Sequence, residues 1–240
     1  ASMRSFAAVR TETNVPVAAG LASSASAFAA ISLAAAKAAG IDDWDEVVNL
    51  ARLASGSAPR SLLGGFVELS PYGNDRICIH QLVPANHWAL RMVVAQVRAG
   101  PKRPGSSEGM ERSRHTSPYY PAWLESHQAD IESARNAIRE RDIEALGRVV
   151  ESSALKMHAL TITSSPPFLY WRPSTVELLQ AVWEWRRSGR AVFATMDAGP
   201  HVKILCGQQD AEWACQACRA IDGIERVLVE SPGAGARLLE

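Results

Sequence analysis

The sequence predicts an α+β protein, and three observations lead to this class. Strand-like runs rich in β-branched residues occur before residue 98, helical spacing of apolar residues dominates from residue 131, and strand-like runs return after residue 190. Segregation of this kind favours antiparallel sheets with separate helices over a regular alternation of strand and helix.

The elements expected before residue 98 follow from apolar periodicity and from the residues that bound it. Gly40 is placed to end an alanine-rich helix, and Asp42 or Asp43 is placed to cap the next one. The expected elements are a strand at 5–13, helices at 21–39 and 44–54, a strand that opens at Gly64-Gly65, and strands at 77–83 and 89–97. We therefore expect an N-terminal domain over residues 1–98 with a mainly antiparallel sheet.

A loop of glycine, proline and basic residues at 99–105 predicts the boundary to a C-terminal domain at 99–240. Pro166-Pro167 interrupts the helical pattern that follows. The expected elements are helices around 131–150 and 176–183, strands at 191–196 and 202–206, a helix at 211–220 and a strand at 226–230. Their order predicts a four-stranded sheet with helices on one face, a ferredoxin-like α/β sandwich.

Composition places the chain among ordinary globular proteins. Of its 240 residues 47% are hydrophobic and 21% charged, and the 25 basic residues balance the 25 acidic ones. Nothing in this balance indicates nucleic-acid binding, and no apolar run approaches the ~20 residues of a membrane span. Four cysteines do not make a disulfide framework, and Cys215-x-x-Cys218 lacks a second pair at zinc spacing. Without a visible signal peptide, we expect buried or semi-buried thiols and a cytoplasmic location.

The strongest local signal is Pro16-Val-Ala-Ala-Gly-Leu-Ala-Ser-Ser-Ala25, a Pro/Gly loop that runs into a helix. The first helical turn has unpaired N–H groups and the positive end of the dipole. Glycine lets the backbone approach a phosphate, while serine hydroxyls add donors or a metal ligand. The expected phosphate-binding residues are Gly20, Leu21, Ala22, Ser23 and Ser24. The alternative is an ordinary serine-capped helix that packs through its alanines.

This loop resembles the P-x-x-x-G-L-x-S-S-A motif of GHMP kinases, in the form used by the diphosphomevalonate decarboxylases. Three further segments match that family in order: Ser55-Gly-Ser-Ala-Pro-Arg-Ser-Leu-Leu-Gly-Gly-Phe66, Gly105-Ser-Ser-Glu-Gly-Met110 and Thr195-Met-Asp-Ala-Gly-Pro-His201. Pro59 replaces the family's usual Cys, His201 replaces Asn, and Gly105 and Ser107 also depart from the pattern.

The resemblance implies a GHMP-kinase fold with two domains and a cleft between them, and a chain that begins inside the N-terminal domain. It implies ATP-dependent decarboxylation of mevalonate 5-diphosphate, with Mg²⁺ as cofactor. Relatives of this family are usually homodimers. The tryptophans of the C-terminal half, Trp171, Trp183, Trp185 and Trp213, are compatible with an interface.

The same resemblance assigns residue roles. Asp197 is the expected catalytic base, because a tertiary hydroxyl attacks phosphorus poorly unless its proton has an acceptor. Arg60 is expected to hold the substrate carboxylate through its planar guanidinium. The expected substrate-binding residues are Ser55, Ser57, Arg60, Ser106, Met110 and Ala198, and Ser24 is the expected metal ligand. The ordinary alternatives are a turn-capping Asp, a surface Arg, and serines that cap helices or turns.

Other functions and residues stay open from the sequence. A decarboxylase of the monophosphate, a 3-kinase, or a non-catalytic ligand-binding fragment would carry much of the same pattern. Lys102, Arg103, Arg112 and Arg114 are placed to steer an anion, or else they belong to a solvated basic loop. Lys156 and His158 are interpreted as structural or interfacial.

Overall fold

The computed structural model describes residues 7–13, 23–72, 76–98 and 103–239. Within these ranges the helices are α1 (Ser23–Ala38), α2 (Trp44–Ala54), α3 (Ser106–Thr116), α4 (Tyr120–Glu140), α5 (Ile143–Ile162), α6 (Pro173–Arg187) and α7 (Gln208–Arg219). The strands are β1 (Phe66–Tyr72), β2 (Arg76–Val83), β3 (Leu90–Val97), β4 (Val192–Thr195), β5 (Val202–Gly207) and β6 (Ile224–Glu230). Short 3-10 helices span Ala58–Leu62 and Ala85–His87.

The two N-terminal helices form where the sequence predicts them. The Asp43 carboxylate accepts a hydrogen bond from Asp45 N–H at 2.9 Å and caps α2, and Gly40 follows α1 with φ +69°. Alanines of α1 pack against α2, the first 3-10 helix and the β1–β2 hairpin in one apolar cluster. The predicted strand at 5–13 is wrong for its described part, because residues 7–13 do not form a strand and are exposed.

The strand β3 belongs to the C-terminal sheet rather than to an N-terminal one. The predicted four-stranded sheet is confirmed, with antiparallel order β4-β5-β3-β6. The predicted division at residue 99 separates β3 from both of its hydrogen-bonded neighbours. We therefore propose that the C-terminal unit begins before Leu90, and that β1 and β2, a separate two-stranded antiparallel sheet, belong to the N-terminal unit.

Helices cover both faces of the four-stranded sheet, so the prediction of helices on one face is wrong. Val93, Val192 and Ile204 face α6 and α7, whereas Phe193 and Leu205 point to the opposite side, where α4 and α5 pack. Successive strand residues alternate between faces, and both sets are apolar here, so both faces must be covered. A Cβ at Gly147 of α5 would lie 2.0 Å from the Phe193 ring, which shows how closely α5 approaches.

Contacts between the hairpin region and later parts of the chain include an ion pair and a backbone crossing. Glu68 of β1 forms a bidentate ion pair with Arg135 of α4 at 2.8 and 3.0 Å. The segment after β6 returns to the start of β1, where Gly65 N–H donates to the Gly233 carbonyl at 2.9 Å. Backbone also approaches Gly64 so closely that a Cβ there would lie 2.6 Å from the nitrogen of Gly235. The absence of a side chain at Gly64 thus permits this close backbone crossing.

The cysteines behave as the composition predicts. All four are free thiols; Cys206, Cys215 and Cys218 are buried, while Cys78 is half-buried. Burial raises the pKa of Cys206 to about 11 and that of Cys218 to about 12, which keeps both thiols protonated. In the described part of the chain, no helix is both long and apolar enough to cross a bilayer.

Candidate active site

The predicted phosphate motif is described only from Ser23 onward, where α1 begins; Gly20, Leu21 and Ala22 lie outside the described residues. The Ser24 hydroxyl is exposed and lies 3.3 Å from the hydroxyl of Ser55. Ser55 Oγ in turn lies 3.3 Å from Ser57 Oγ. The α1 N-terminus and the Ser55–Ser57 segment are therefore joined by a row of hydroxyl groups.

The local chain path explains how Ser55 and Ser57 reach α1. Ser55 ends α2, with its N–H donating to the Ala51 carbonyl at 3.0 Å, and Ser57 precedes the 3-10 helix Ala58–Leu62. That 3-10 helix packs against both α1 and α2. It carries Arg60 on its exposed side, and among the residues that the structure describes no side chain pairs with the Arg60 guanidinium.

A second group of predicted residues lines a groove of about 470 Å³ between α3, α4, α5 and the end of β4. Met110, Asp197 and Ala198 lie at this groove together with mainly apolar side chains: Trp123, Ile131, Ala134, Val149, Val150, Ala154, Met157 and Met196. Ser106 begins α3, one helical turn before Met110 and on the same side of the helix. Wide apolar walls with a few polar groups are typical of small-molecule sites.

The carboxylate of Asp197 is exposed on 59% of its side-chain surface and forms an ion pair with Lys203. The sheet produces this pair, because Thr195 at the end of β4 lies opposite Lys203 in β5. Lys203 itself is largely covered, with 14% of its side chain exposed. Lys203 was not predicted from the sequence as a site residue. The strand–turn–strand pattern around Asp197 could have indicated it, because a hairpin brings these two positions together.

The loop that carries Asp197 is held by hydrogen bonds to its backbone. Gly199 N–H donates to the Asp197 carbonyl at 2.7 Å, and the same carbonyl accepts from His158 Nε2 at 3.1 Å. The Thr175 hydroxyl donates to the Pro200 carbonyl at 2.7 Å. His158 was interpreted from sequence as structural or interfacial; it is buried and contacts this loop directly.

Two of the basic residues considered for steering are already paired. Arg112 lies 2.9 Å from Glu108, and Arg114 lies 2.6 Å from Glu111. These pairs sit on the surface of α3 and favour the solvated-face alternative over an anion-steering patch. Lys102 lies outside the described residues.

Comparison with known proteins decides the family. The family model for the mevalonate 5-diphosphate decarboxylase C-terminal domain matches residues 92–227. The model for the diphosphomevalonate decarboxylase-like N-terminal domain matches residues 1–79. The chain belongs to the diphosphomevalonate decarboxylase family. These limits also place β3 mostly with the C-terminal match, in agreement with the sheet.

Relatives within the diphosphomevalonate decarboxylase family are similar over most of this chain. The bovine and human diphosphomevalonate decarboxylases are 35% and 34% identical over 209 and 205 residues, each match covering 82% of this chain. The same matches cover 50% of each relative, so the chain spans about half the length of these curated relatives.

Solved structures of the family share this fold. The mevalonate diphosphate decarboxylase of Staphylococcus aureus superposes with a TM-score of 0.83 at 35% identity, over 92% of this chain and 68% of that one. A structure described as MDDEF in complex with MVAPP, AMPPCP and magnesium gives 0.85 at 35% identity, over 94% and 70%. The predicted α+β, GHMP-kinase fold is confirmed.

The departures from the diphosphomevalonate decarboxylase pattern fit the structure. Pro59 is buried near the start of the 3-10 helix, where proline is tolerated because no N–H donor is needed. His201 Nδ1 accepts a hydrogen bond from Val97 N–H at 3.0 Å, a role that an Asn side-chain oxygen would also perform. Ser107 lies exposed in the first turn of α3.

Proposed function

We propose that the protein carries out ATP-dependent decarboxylation of mevalonate 5-diphosphate, yielding isopentenyl diphosphate, ADP, phosphate and CO2. The observation that carries this proposal is the Asp197 carboxylate, exposed at a groove with Met110 and Ala198 and held by Lys203. Family membership supports the reaction. The related structure in complex with MVAPP, AMPPCP and magnesium supports the ligand classes.

The chemistry assigns Asp197 a defined task. The tertiary hydroxyl oxygen attacks the γ-phosphorus of ATP, the bond from phosphorus to ADP breaks, and Asp197 takes the hydroxyl proton. The resulting phosphate is a better leaving group than hydroxide. When its C–O bond breaks, the bond to the carboxylate carbon also breaks, and that electron pair forms the alkene while CO2 leaves. A proton acceptor at the hydroxyl matters in the first of these steps.

Arg60 is proposed to bind the substrate carboxylate. Its guanidinium is exposed and has no partner among the described residues, so a substrate anion would meet no competing protein carboxylate there. A planar guanidinium matches a carboxylate bidentately. Ser55, Ser57 and Ser106 are proposed to donate hydroxyl hydrogen bonds to the diphosphate, with Met110 and Ala198 forming apolar walls.

ATP and Mg²⁺ fit the row of hydroxyl groups at α1. Bound ATP supplies the phosphoryl group, and the dipole at the start of α1 together with the Ser23 and Ser24 hydroxyls would hold its phosphates. Among the described residues, no cluster of three or more His, Cys, Asp or Glu side chains is arranged to bind a metal. Mg²⁺ usually binds through substrate phosphates, few protein ligands and water, so we propose Ser24 as one protein ligand.

Ser24→Ala should weaken ATP binding and lower turnover. The change removes one hydroxyl near the triphosphate and the metal, so we expect about a 10-fold loss in ATP affinity, the size of one hydrogen bond to a charged group. Fluorescent-nucleotide titration and steady-state assays measure it. Ser26→Ala is the matched control, because the one partner of Ser26 Oγ among the described residues is the Ser23 carbonyl. Affinity and turnover both within twofold of wild type would remove Ser24 from the ATP site.

One assay separates this function from its alternatives. The full-length protein is offered mevalonate, its 5-phosphate and its 5-diphosphate, while ADP and CO2 release are both followed. We expect both products from the diphosphate. Both products from the monophosphate alone would indicate the related decarboxylase, ADP alone would indicate a 3-kinase, and neither product would indicate a non-catalytic protein.

We also propose a cytoplasmic homodimer. The homodimer rests on the resemblance to relatives, and the cytoplasmic location rests on the free thiols. The tryptophans give the homodimer no support. Trp185 and Trp213 pack edge-to-face at 5.3 Å against the core, and Trp183 Nε1 donates to Glu151 at 3.1 Å. Sedimentation at micromolar concentration distinguishes a dimer from the monomer.

A further inference from the structure

His158 lies on α5 directly behind the loop that carries Asp197. Its relative exposure is 0%, and its Nε2–H donates to the backbone carbonyl of Asp197 at 3.1 Å. A buried polar ring is unfavourable unless its hydrogen bonds are used. The hydrogen bond to the Asp197 carbonyl therefore offsets part of the cost of burying this ring.

The His158 ring also contacts the segment that seats α3. Its centroid lies 6.1 Å from that of Tyr170, edge to face, and 5.2 Å from that of Trp171. The Tyr170 hydroxyl donates to the carbonyl of Gly105, directly before Ser106, at 3.4 Å. A Cβ at Gly109 would lie 2.5 Å from the Tyr170 hydroxyl, so α3 rests closely on this side chain. His158 thus contacts the Asp197 loop directly, and it contacts the N-terminal end of α3 through Tyr170. Both elements carry predicted site residues at the groove.

The ring is neutral at physiological pH. Burial lowers its pKa to about 4, which outweighs the opposing effects of the Asp197 carbonyl and carboxylate. A neutral imidazole has one N–H, and the geometry places it on Nε2, since Nδ1 has no partner among the described residues. The single donor of His158 is therefore committed to the Asp197 peptide.

We propose that His158 is a positioning residue for Asp197: its Nε2–H fixes the Asp197 peptide, and its ring supports Tyr170, which seats the N-terminus of α3. The Asp197 carboxylate is thereby kept at a fixed distance from Ser106 and Met110 across the groove. This inference rests on the proposed function, in which Asp197 is the base. A misplacement of about 1 Å in such a group lowers turnover by up to about 10²-fold.

The first test compares two replacements of His158 in the full-length protein. Gln carries an amide N–H close to the position of Nε2, whereas Leu fills the space without a donor. We expect His158→Leu to lower kcat about 10- to 100-fold while ATP affinity stays within twofold, and His158→Gln to recover most of the loss. His87→Leu is the matched control, because His87 Nε2 also bonds a backbone carbonyl, that of Ile138 at 3.0 Å, outside the groove. If His158→Leu and His158→Gln lower kcat equally, or if both retain wild-type kcat, the proposal is overturned.

The second test places His158→Leu in an Asp197→Asn background. If His158 acts through Asp197, the second change lowers the residual kcat by less than about twofold, since coupled residues do not add. A loss that multiplies fully indicates a general structural role and overturns the proposal. Should His158→Leu fail to fold, His158→Asn, whose shorter amide does not reach the carbonyl, replaces it. An Asp197→Asn protein with wild-type kcat removes Asp197 as the base and overturns this inference with it, whereas a wild-type protein that releases neither ADP nor CO2 overturns the proposed function. Full multiplication overturns this inference alone.

Discussion

Asp197→Asn in the full-length protein should lower kcat by at least about 10²-fold and by as much as about 10⁴-fold, the usual contribution of a general base. Asn preserves the shape of the side chain and removes both the charge and the proton acceptor. The KM for substrate should change little, because the loss is felt mainly in the transition state. The Lys203 ammonium would lose its carboxylate partner, yet the loop would stay anchored through its backbone carbonyls.

Steady-state assays with the 5-diphosphate measure this effect. Asp222→Asn is the matched control, because Asp222 is an exposed turn residue whose carboxylate accepts from Gly223 N–H at 2.8 Å. An amide oxygen accepts the same bond, so the control should retain wild-type kcat. An Asp197→Asn protein that keeps more than about a tenth of wild-type kcat would remove Asp197 as general base, since the expected loss is far larger.

Arg60→Gln should weaken substrate binding as well as turnover. Arg60 is proposed to pair with a substrate carboxylate that is charged already in the ground state. Removing the guanidinium should therefore weaken binding of the substrate as well as of the transition state. We expect kcat/KM to fall about 10- to 150-fold, which corresponds to the ~1.5–3 kcal/mol of a hydrogen bond to a charged group. Part of this loss should appear as a raised KM, in contrast to Asp197→Asn.

The control for Arg60 is Arg148→Gln on α5. Arg148 is an exposed arginine paired only with Glu144, at 3.6 Å, and exposed pairs of this kind contribute little. Its replacement should leave both kinetic constants unchanged. An unaltered KM in Arg60→Gln, with only kcat reduced, would argue against a ground-state contact between Arg60 and the substrate carboxylate.

The fold could be predicted wherever local pattern decides structure. Capping by Asp43, the stop at Gly40 and the apolar runs of β2 and β5 give helix and strand positions that the structure confirms. Sheet membership is different, because it depends on partners far away in the chain. β3 pairs with β5 and β6, which lie more than a hundred residues later in the chain. Neither the composition of β3 nor the spacing of its apolar residues indicates these partners.

Some residues of the candidate site could likewise be predicted from local motifs, and others could not. Asp197, Met110 and Ala198 were predicted from motifs, and they share a groove in the structure. Lys203 and His158 were not predicted as site residues, because their roles depend on contacts between distant elements. Lys203 reaches Asp197 across a strand pair, and His158 reaches the Asp197 loop from the helix behind it. Gly64 is part of a family motif in the sequence, but the structural requirement for glycine comes from the backbone of Gly235, which passes close to it.

The most direct test of the account measures two products from one substrate in the full-length protein. Mevalonate 5-diphosphate labelled at the carboxyl carbon is incubated with ATP and Mg²⁺, and released CO2 is compared with ADP formed. We expect equal amounts of the two products, and we expect Asp197→Asn to abolish both together because phosphoryl transfer must come before elimination. Release of ADP without labelled CO2 from the wild-type protein would contradict it.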